Sequence, residues 1–237
     1  MRIILFASPG ILGPYTLATL IHLKQDVRYL ILPSSWHALP ATELLQLAEG
    51  ANIPVLTPQN LHDSDFVITL KQCMPDLMIV ATFDKKIPSD VIQIPRLGAI
   101  NIHSSFLPAY RGACPEFWVM RNGAQETGVS IHLLNEEFDK GDIIVQGKVP
   151  ISPRDTVGVL LYRIASTSSK LLIQVLTECK KGNVLTGVSQ NEQDASNAPL
   201  VKPPDFETKP TEPALPSFDS MMLSIVPAVL PILNAPA

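Results

Sequence analysis

The residue types able to do acyl and proton chemistry gather between Gly98 and Gly147. Ala99-Ile100-Asn101-Ile102-His103 alternates apolar and polar side chains. A strand of that pattern sends Asn101 and His103 to one face and buries Ile100 and Ile102 behind them. A break at Leu107-Pro108 and a turn at Arg111-Gly112 come next, followed by Asp139 and, closely, Gly141. If the chain folds back there, an amide, an imidazole and a carboxylate meet. Such a set suits acyl transfer to an amine, because a tetrahedral intermediate needs donors aimed at its developing oxyanion and the attacking amine must lose a proton. Asn101 Nδ2 and a protonated His103 would supply the donors, and Asp139 would stabilise the imidazolium and relay the proton through water. Residues of these types also serve as ordinary strand-end and turn residues, so spacing alone leaves both readings open.

The ordered set is wider than three residues. Asn101-Ile102-His103-Ser104-Ser105-Phe106-Leu107-Pro108 is followed by Arg111-Gly112 and Pro115, then by Thr127-Gly128-Val129-Ser130-Ile131-His132 and Phe138-Asp139-Lys140-Gly141-Asp142. This succession resembles the signature of the 10-formyltetrahydrofolate-dependent formyltransferases. That superfamily holds methionyl-tRNA formyltransferase, glycinamide ribonucleotide transformylase, sugar N-formyltransferases and formyltetrahydrofolate hydrolase. The resemblance runs from the N-terminus to about Glu207, and its most specific part is Asn-x-His, Leu-Pro and Asp-x-Gly in this order and separation. It puts the family's catalytic Asn, His and Asp on Asn101, His103 and Asp139. Methionyl-tRNA enzymes commonly carry Thr where Lys140 stands, with the flanking Asp and Gly kept.

These residues need a scaffold. Met1 to Ser8 is a short apolar run like a central strand of a parallel sheet, without the length or flanks of a signal peptide. Ser8-Pro9-Gly10-Ile11-Leu12-Gly13 is not a GxGxxG, so no dinucleotide site is inferred. Nor is it the Gly-Asn-rich loop that glycinamide ribonucleotide transformylases use for substrate phosphate. Periodicity predicts helices over 16–24, 41–51 and 63–73, strands over 27–32, 53–56, 77–81 and 129–134, and a long helix over 160–180 ending at Lys180-Lys181-Gly182. The βαβα alternation implies an α/β fold, a mostly parallel twisted sheet with helices on both faces. Ligands of such sheets bind beyond the carboxyl ends of the strands, which is where the 77–81 strand delivers Thr82-Phe83-Asp84-Lys85-Lys86-Ile87-Pro88. By resemblance this is the folate loop, with Phe83 and Ile87 flanking the pterin and backbone near Lys85 bonding it. Asn135, Glu136 and Glu137, with Phe138 and Asp139, would form the opposite wall. Taken alone, the first stretch reads as a charged, solvated connection. His132 is read either as a supporting group for the site or as a structural histidine.

Composition narrows the partners. The chain has 237 residues, 46% hydrophobic and 17% charged, with net charge −4, enough for one α/β domain with a full core. The acidic balance gives no sign of a phosphate-backbone partner. Pro33-Ser34-Ser35-Trp36-His37-Ala38-Leu39-Pro40 carries no Lys or Arg, where tRNA-directed members of the family usually carry a basic loop. Trp36 and His37 are read as a half-packed loop pair rather than as substrate contacts. Cys73, Cys114 and Cys179 lack metal-like spacing and read as reduced thiols of a cytoplasmic protein, Cys114 as a small packing residue. His22, His37 and His62 are scattered singly, and no metal is assigned.

Nine of the 22 prolines lie at or beyond Pro199, which opposes packed structure. The expected division is a catalytic domain over 1–207 and a Pro-rich, partly apolar tail over 208–237, broken by Pro227 and Pro231 and too short to span a membrane. The C-terminal barrel that methionyl-tRNA formyltransferases normally add is not expected within these 237 residues. The function expected is formyl transfer from 10-formyltetrahydrofolate to a small-molecule amine, with tRNA a less favoured acceptor. The alternatives are a formyltetrahydrofolate hydrolase, which Ser104 to Tyr110 resembles, and a folate-binding protein without catalysis.

Overall fold

A computed structural model describes residues 1–34 and 42–201. The expectations for Trp36, His37 and the 208–237 tail lie outside the described residues. The elements are β1 (Arg2–Ala7), α1 (Leu12–His22), β2 (Asp26–Ile31), α2 (Thr42–Gly50), β3 (Val55–Leu56), α3 (Ser64–Gln72), β4 (Leu77–Ala81), α4 (Ser89–Ile92), β5 (Ala99–His103), β6 (Arg111–Gly112), α5 (Pro115–Arg121), β7 (Glu126–Leu133), β8 (Ile143–Pro150), α6 (Val157–Lys180) and β9 (Asn197–Ala198). Seven strands form one sheet in the order β3-β2-β1-β4-β5-β7-β8, and β6 and β9 form a separate pair. From β3 to β5 the strands are parallel, while β7 and β8 run antiparallel.

The period-2 pattern of the strands sorts the core into two layers. Ile3, Leu5 and Ala7 pack with Leu77, Ile79 and Ala81, with Ile100 and Ile102, and with the apolar faces of α1, α2 and α6. Ile4 and Phe6 go to the other side with Met78 and Val80, against Phe66, Leu70 and Cys73 of α3 and its border and Val91 of α4. Helices therefore cover both faces. α6 buries Leu160, Ile164, Leu172 and Leu176 among others and packs on α1, β7 and β8. By length and composition it would pass as a membrane span, yet 56% of its most apolar window is buried inside the domain.

Local chemistry sets the element ends. Asp63 caps α3, its carboxylate accepting from the backbone N–H groups of Asp65 and Phe66 at 3.0 and 3.1 Å, and Thr156 caps α6 by accepting from the Val159 N–H. α1 starts at Leu12, earlier than predicted, because Pro14 in its first turn removes an N–H that has no helical partner there. The predicted turn at Arg111-Gly112 is instead a two-residue strand. Its backbone is satisfied by a distant segment, with Arg111 N donating to Ser196 O and Ala113 N to Ala198 O, each at 2.8 Å. The periodicity reading had no strand at β8 and no helix at α5.

Going along the sheet, the chain builds β2 and β3 on one side of β1 and then β4 and β5 on the other. The crevice between the carboxyl ends of β1 and β4 is thus a topological switch point. Ser8, following β1, and Thr82, following β4, both open into it.

Candidate active site

A cavity of about 530 Å³ occupies that crevice. The end of β5 supplies Asn101, His103 and Ser104; the loop after β4 supplies residues 82–87; the β7–β8 connection supplies Leu134, Asn135 and Glu137 to Asp139; and Gly112, Ala113 and Pro115 close the remaining side. Asn101 and His103 share a face of β5, as alternation requires, and His132 lies directly opposite Asn101 on β7.

The structure brings Asn101, His103 and Asp139 together. Asn101 Nδ2 donates to Asp139 Oδ1 at 3.1 Å and also lies 3.1 Å from His132 Nε2. His103 Nδ1 is 3.5 Å from Asp139 Oδ1, and Gly112 N donates to Asp139 Oδ2 at 2.9 Å. Tautomers follow from the acceptors, since a carbonyl can only accept. His132 Nδ1 lies 2.8 Å from the Leu133 carbonyl and carries the proton, leaving Nε2 to accept from Asn101. His103 Nε2 lies 2.9 Å from the Tyr110 carbonyl and donates to it. Both Asn101 N–H groups and the His103 Nε2–H are thus held by the protein itself.

Electrostatics divide the two titrating partners. Burial pushes the His103 imidazole toward its neutral form, and the Asp139 carboxylate and the Tyr110 carbonyl only partly offset this. Burial would raise the Asp139 carboxyl, but His103, contacts with His132 and the Gly112 N–H outweigh it and hold it below the usual carboxylate range.

Backbone strain gathers at the same place. Thr82, Tyr110 and Asp139 have φ of 56°, 60° and 55°, left-handed values that non-glycine residues rarely adopt. Gly112, at φ 119°, approaches strand β9 so closely that a Cβ would come within 2.5 Å of the Ala198 carbonyl. Gly141 leaves no room for a Cβ either, which would run into the Leu133 carbonyl beside His132.

The residues expected at the folate walls are placed as follows. Phe83 lines the cavity and meets Phe6 edge-on at 5.2 Å between ring centroids. Ile87 lines it and is buried. Lys85 lines it while its ammonium donates to Ser34 Oγ. Asn135 and Glu137 line the opposite side; Glu136 is not among the lining residues, and its carboxylate accepts from Ser89 Oγ at 2.6 Å. Cys114 is half-buried with its thiol free. Among the described residues, no group of three or more His, Cys, Asp or Glu is placed to hold a metal ion.

Sequence reasoning missed Ser8, whose buried Oγ has no hydrogen-bond partner and whose residue borders the cavity. It also missed the clamp behind Asp139. Gln190 Nε2 donates to the carbonyls of Asp139 and Gly141 at 2.7 and 2.8 Å, while its Oε1 accepts from Arg111 Nε and one guanidinium NH2 at 3.1 and 2.8 Å. Arg111 is buried and also pairs with Glu192. An arginine beside a turn-like glycine gave a hint; nothing near Gln190 pointed to the site.

Residues 33–176 match the family model described as formyl transferase. A methionyl-tRNA formyltransferase of Synechococcus sp. (strain JA-3-3Ab) is 39% identical over 176 residues, covering 74% of this chain and 54% of that protein. The methionyl-tRNA formyltransferase of Synechococcus elongatus is 33% identical over 223 residues, covering 91% of this chain and 67% of its own length. The chain therefore spans between about half and two thirds of these curated relatives. Among solved structures, glycinamide ribonucleotide transformylase 1 from Symbiobacterium toebii superposes with a TM-score of 0.66 at 20% identity, over 81% of this chain and 94% of that one. At that identity the likeness speaks for the fold.

Proposed function

This chain belongs to the formyl transferase family, and we propose that it moves a formyl group from 10-formyltetrahydrofolate to a primary amine. The observation that carries this reading is the junction of Asn101, His103 and Asp139 on the wall of a cavity at the sheet's switch point. The pterin enters between Phe83 and Ile87 on one side and the 135–138 segment on the other, and the formyl group reaches Asn101 and His103. The amine lone pair attacks the formyl carbon, forming the C–N bond and placing negative charge on the formyl oxygen. Asn101 Nδ2–H and His103 Nε2–H turn from their internal acceptors to that oxyanion, where preorganised donors are worth most. His103 takes up the proton that the attacking nitrogen sheds, the nearby Asp139 carboxylate stabilises the imidazolium, and the same proton is then returned to N10. The N10–C bond then breaks, and N10 leaves with a proton as tetrahydrofolate.

Two acceptor classes have support. The net charge of −4 and the uncharged 33–40 stretch favour a small amine, such as an amino sugar, amino acid or peptide amine. The name shared by the two cyanobacterial relatives favours methionyl-tRNA. The test gives the purified chain 10-formyltetrahydrofolate with methionyl-tRNA, an amino sugar or an amino-acid amide, following formylated product and free formate separately. Product on any amine above the formate background supports the reading, and the fastest acceptor assigns the class. Formate alone would replace transfer by hydrolysis of the donor.

A further inference from the structure

Beyond the three residues at the formyl position, a second carboxylate stands behind the acceptor side of the cavity. Ser104 follows His103 directly and lines the cavity, and its Oγ donates to Glu116 Oε2 at 3.0 Å. Glu116 sits in the first turn of α5, just after Pro115, which lines the cavity with Ala113 and Gly112. This wall is separate from the Phe83–Ile87 and 135–138 segments, so among the described residues it is the side left for a second substrate when the donor occupies the others. Among the described residues Glu116 forms no ion pair with Lys, Arg or His. Burial pushes its carboxyl above the usual range, against the pull of its own backbone N–H and of Ser104. A partly buried carboxylate with a hydroxyl as its side-chain partner is unfavourable unless something cationic completes it.

We propose that Ser104 and Glu116 form the acceptor-amine subsite, with the Ser104 hydroxyl contacting the incoming ammonium and Glu116 receiving its proton through Ser104. The inference rests on the formyl-transfer reading and specifies how the amine is made nucleophilic. An aliphatic amine arrives as R–NH3⁺ at neutral pH and has no lone pair to attack with. One proton passes to Ser104 Oγ as the Ser104 proton passes to Glu116 Oε2, leaving R–NH2 and a neutral carboxylic acid. After the C–N bond forms, the second nitrogen proton leaves with N10 of tetrahydrofolate, and Glu116 returns its proton to water. The sum is R–NH3⁺ plus 10-formyltetrahydrofolate giving R–NH–CHO, tetrahydrofolate and H⁺. Glu116 is on this account a positioning and proton-storing residue, and Ser104 is the group that touches substrate.

The test compares Glu116→Gln, Glu116→Asp and Ser104→Ala with the full chain, using the fastest acceptor of the amine panel. Glu116→Gln keeps a hydrogen-bond acceptor for Ser104 but cannot store the proton. It should lower kcat for amine formylation by about 10²-fold, as loss of a general base does, with Glu116→Asp recovering part of that rate and Ser104→Ala resembling the Gln variant. Affinity for an unreactive folate analogue should stay within about two-fold. Donor hydrolysis, where water is the acceptor and has no ammonium proton to shed before attack, should fall far less than amine transfer. A merely structural role would lower folate affinity, hydrolysis and transfer together, and that result would overturn the proposal. So would amine transfer by Glu116→Gln at the wild-type rate, which leaves the formyl-transfer reading intact. Absence of amine transfer by the unmodified chain would remove both.

Discussion

At the scale of single residues, their surroundings set His103 and Asp139 in complementary charge states. Burial favours the neutral His103 imidazole, while His103, His132 and the Gly112 N–H favour the ionised Asp139 carboxylate, the pairing that the proposed mechanism uses. His103→Ala and Asp139→Asn should each lower formyl transfer by about 10²-fold or more in folded protein. Steady-state kinetics with a circular-dichroism check of folding decides this, and wild-type turnover in either variant removes that residue from the mechanism. The same burial gives a pH signature. An unfolded imidazole titrates near ~6.5, and the folded one lies lower, so between the two values the unfolded chain holds the extra proton and stability falls as pH falls. The contribution is full above about 6.5 and is lost on acidification toward the folded value. Thermal melts between pH 7 and pH 5 should therefore show a smaller drop for His103→Gln than for the wild type. Asp139 acts at lower pH, its contribution present above the unfolded carboxylate value near ~3.9 and lost as pH falls through its lower folded value.

At the scale of elements, two glycines beside the site, Gly112 and Gly141, make close backbone approaches. Gly112→Ala forces a Cβ onto the Ala198 carbonyl at a left-handed φ, and the strand pair β6–β9 has to open to admit it. We expect a loss of about 2–4 kcal/mol, in the range of other severe backbone and overpacking defects, measured by urea denaturation, with folate-analogue binding weakened because Asp139 loses the Gly112 N–H. Leu172→Ala in α6, remote from the cavity, should cost about 2–5 kcal/mol and leave that binding unchanged in the folded fraction. What was legible beforehand follows the range of each signal. Period-2 alternation fixed β5 and the shared face of Asn101 and His103, and apolar spacing placed α3. β8 was not predicted as a strand; it has half-buried residues on both faces, so its alternation is weak. Gln190 and β9 were hidden because their partners, Asp139, Gly141 and β6, are far away in sequence. The ordered Asn-x-His and Asp-x-Gly spacing carried the family, whereas Ser8 and Glu116 stand outside any such pattern.

At the scale of the whole molecule, the cavity draws its walls from both halves of the chain. Residues up to Leu200 still contribute, since Trp118 Nε1 donates to the Pro199 carbonyl at 2.8 Å and Leu200 lines the cavity. A chain truncated after Glu207 should bind a folate analogue as tightly as the full chain, by calorimetry; a large loss in a folded truncated protein would place the later residues in the site or in an obligatory assembly. A chain truncated after Lys180 should lose that binding, because Gln190 and β9 are gone. The clamp that Gln190 throws across Asp139 and Arg111 has a consequence for biosynthesis. A ribosome releases Asn101, His103 and Asp139 before it releases Gln190, which holds the Asp139 and Gly141 carbonyls. The nascent protein therefore completes its large sheet at Pro150 before Gln190 can fix the Asp139 turn, and on the proposed function it is expected to gain folate affinity only after Gln190 has emerged.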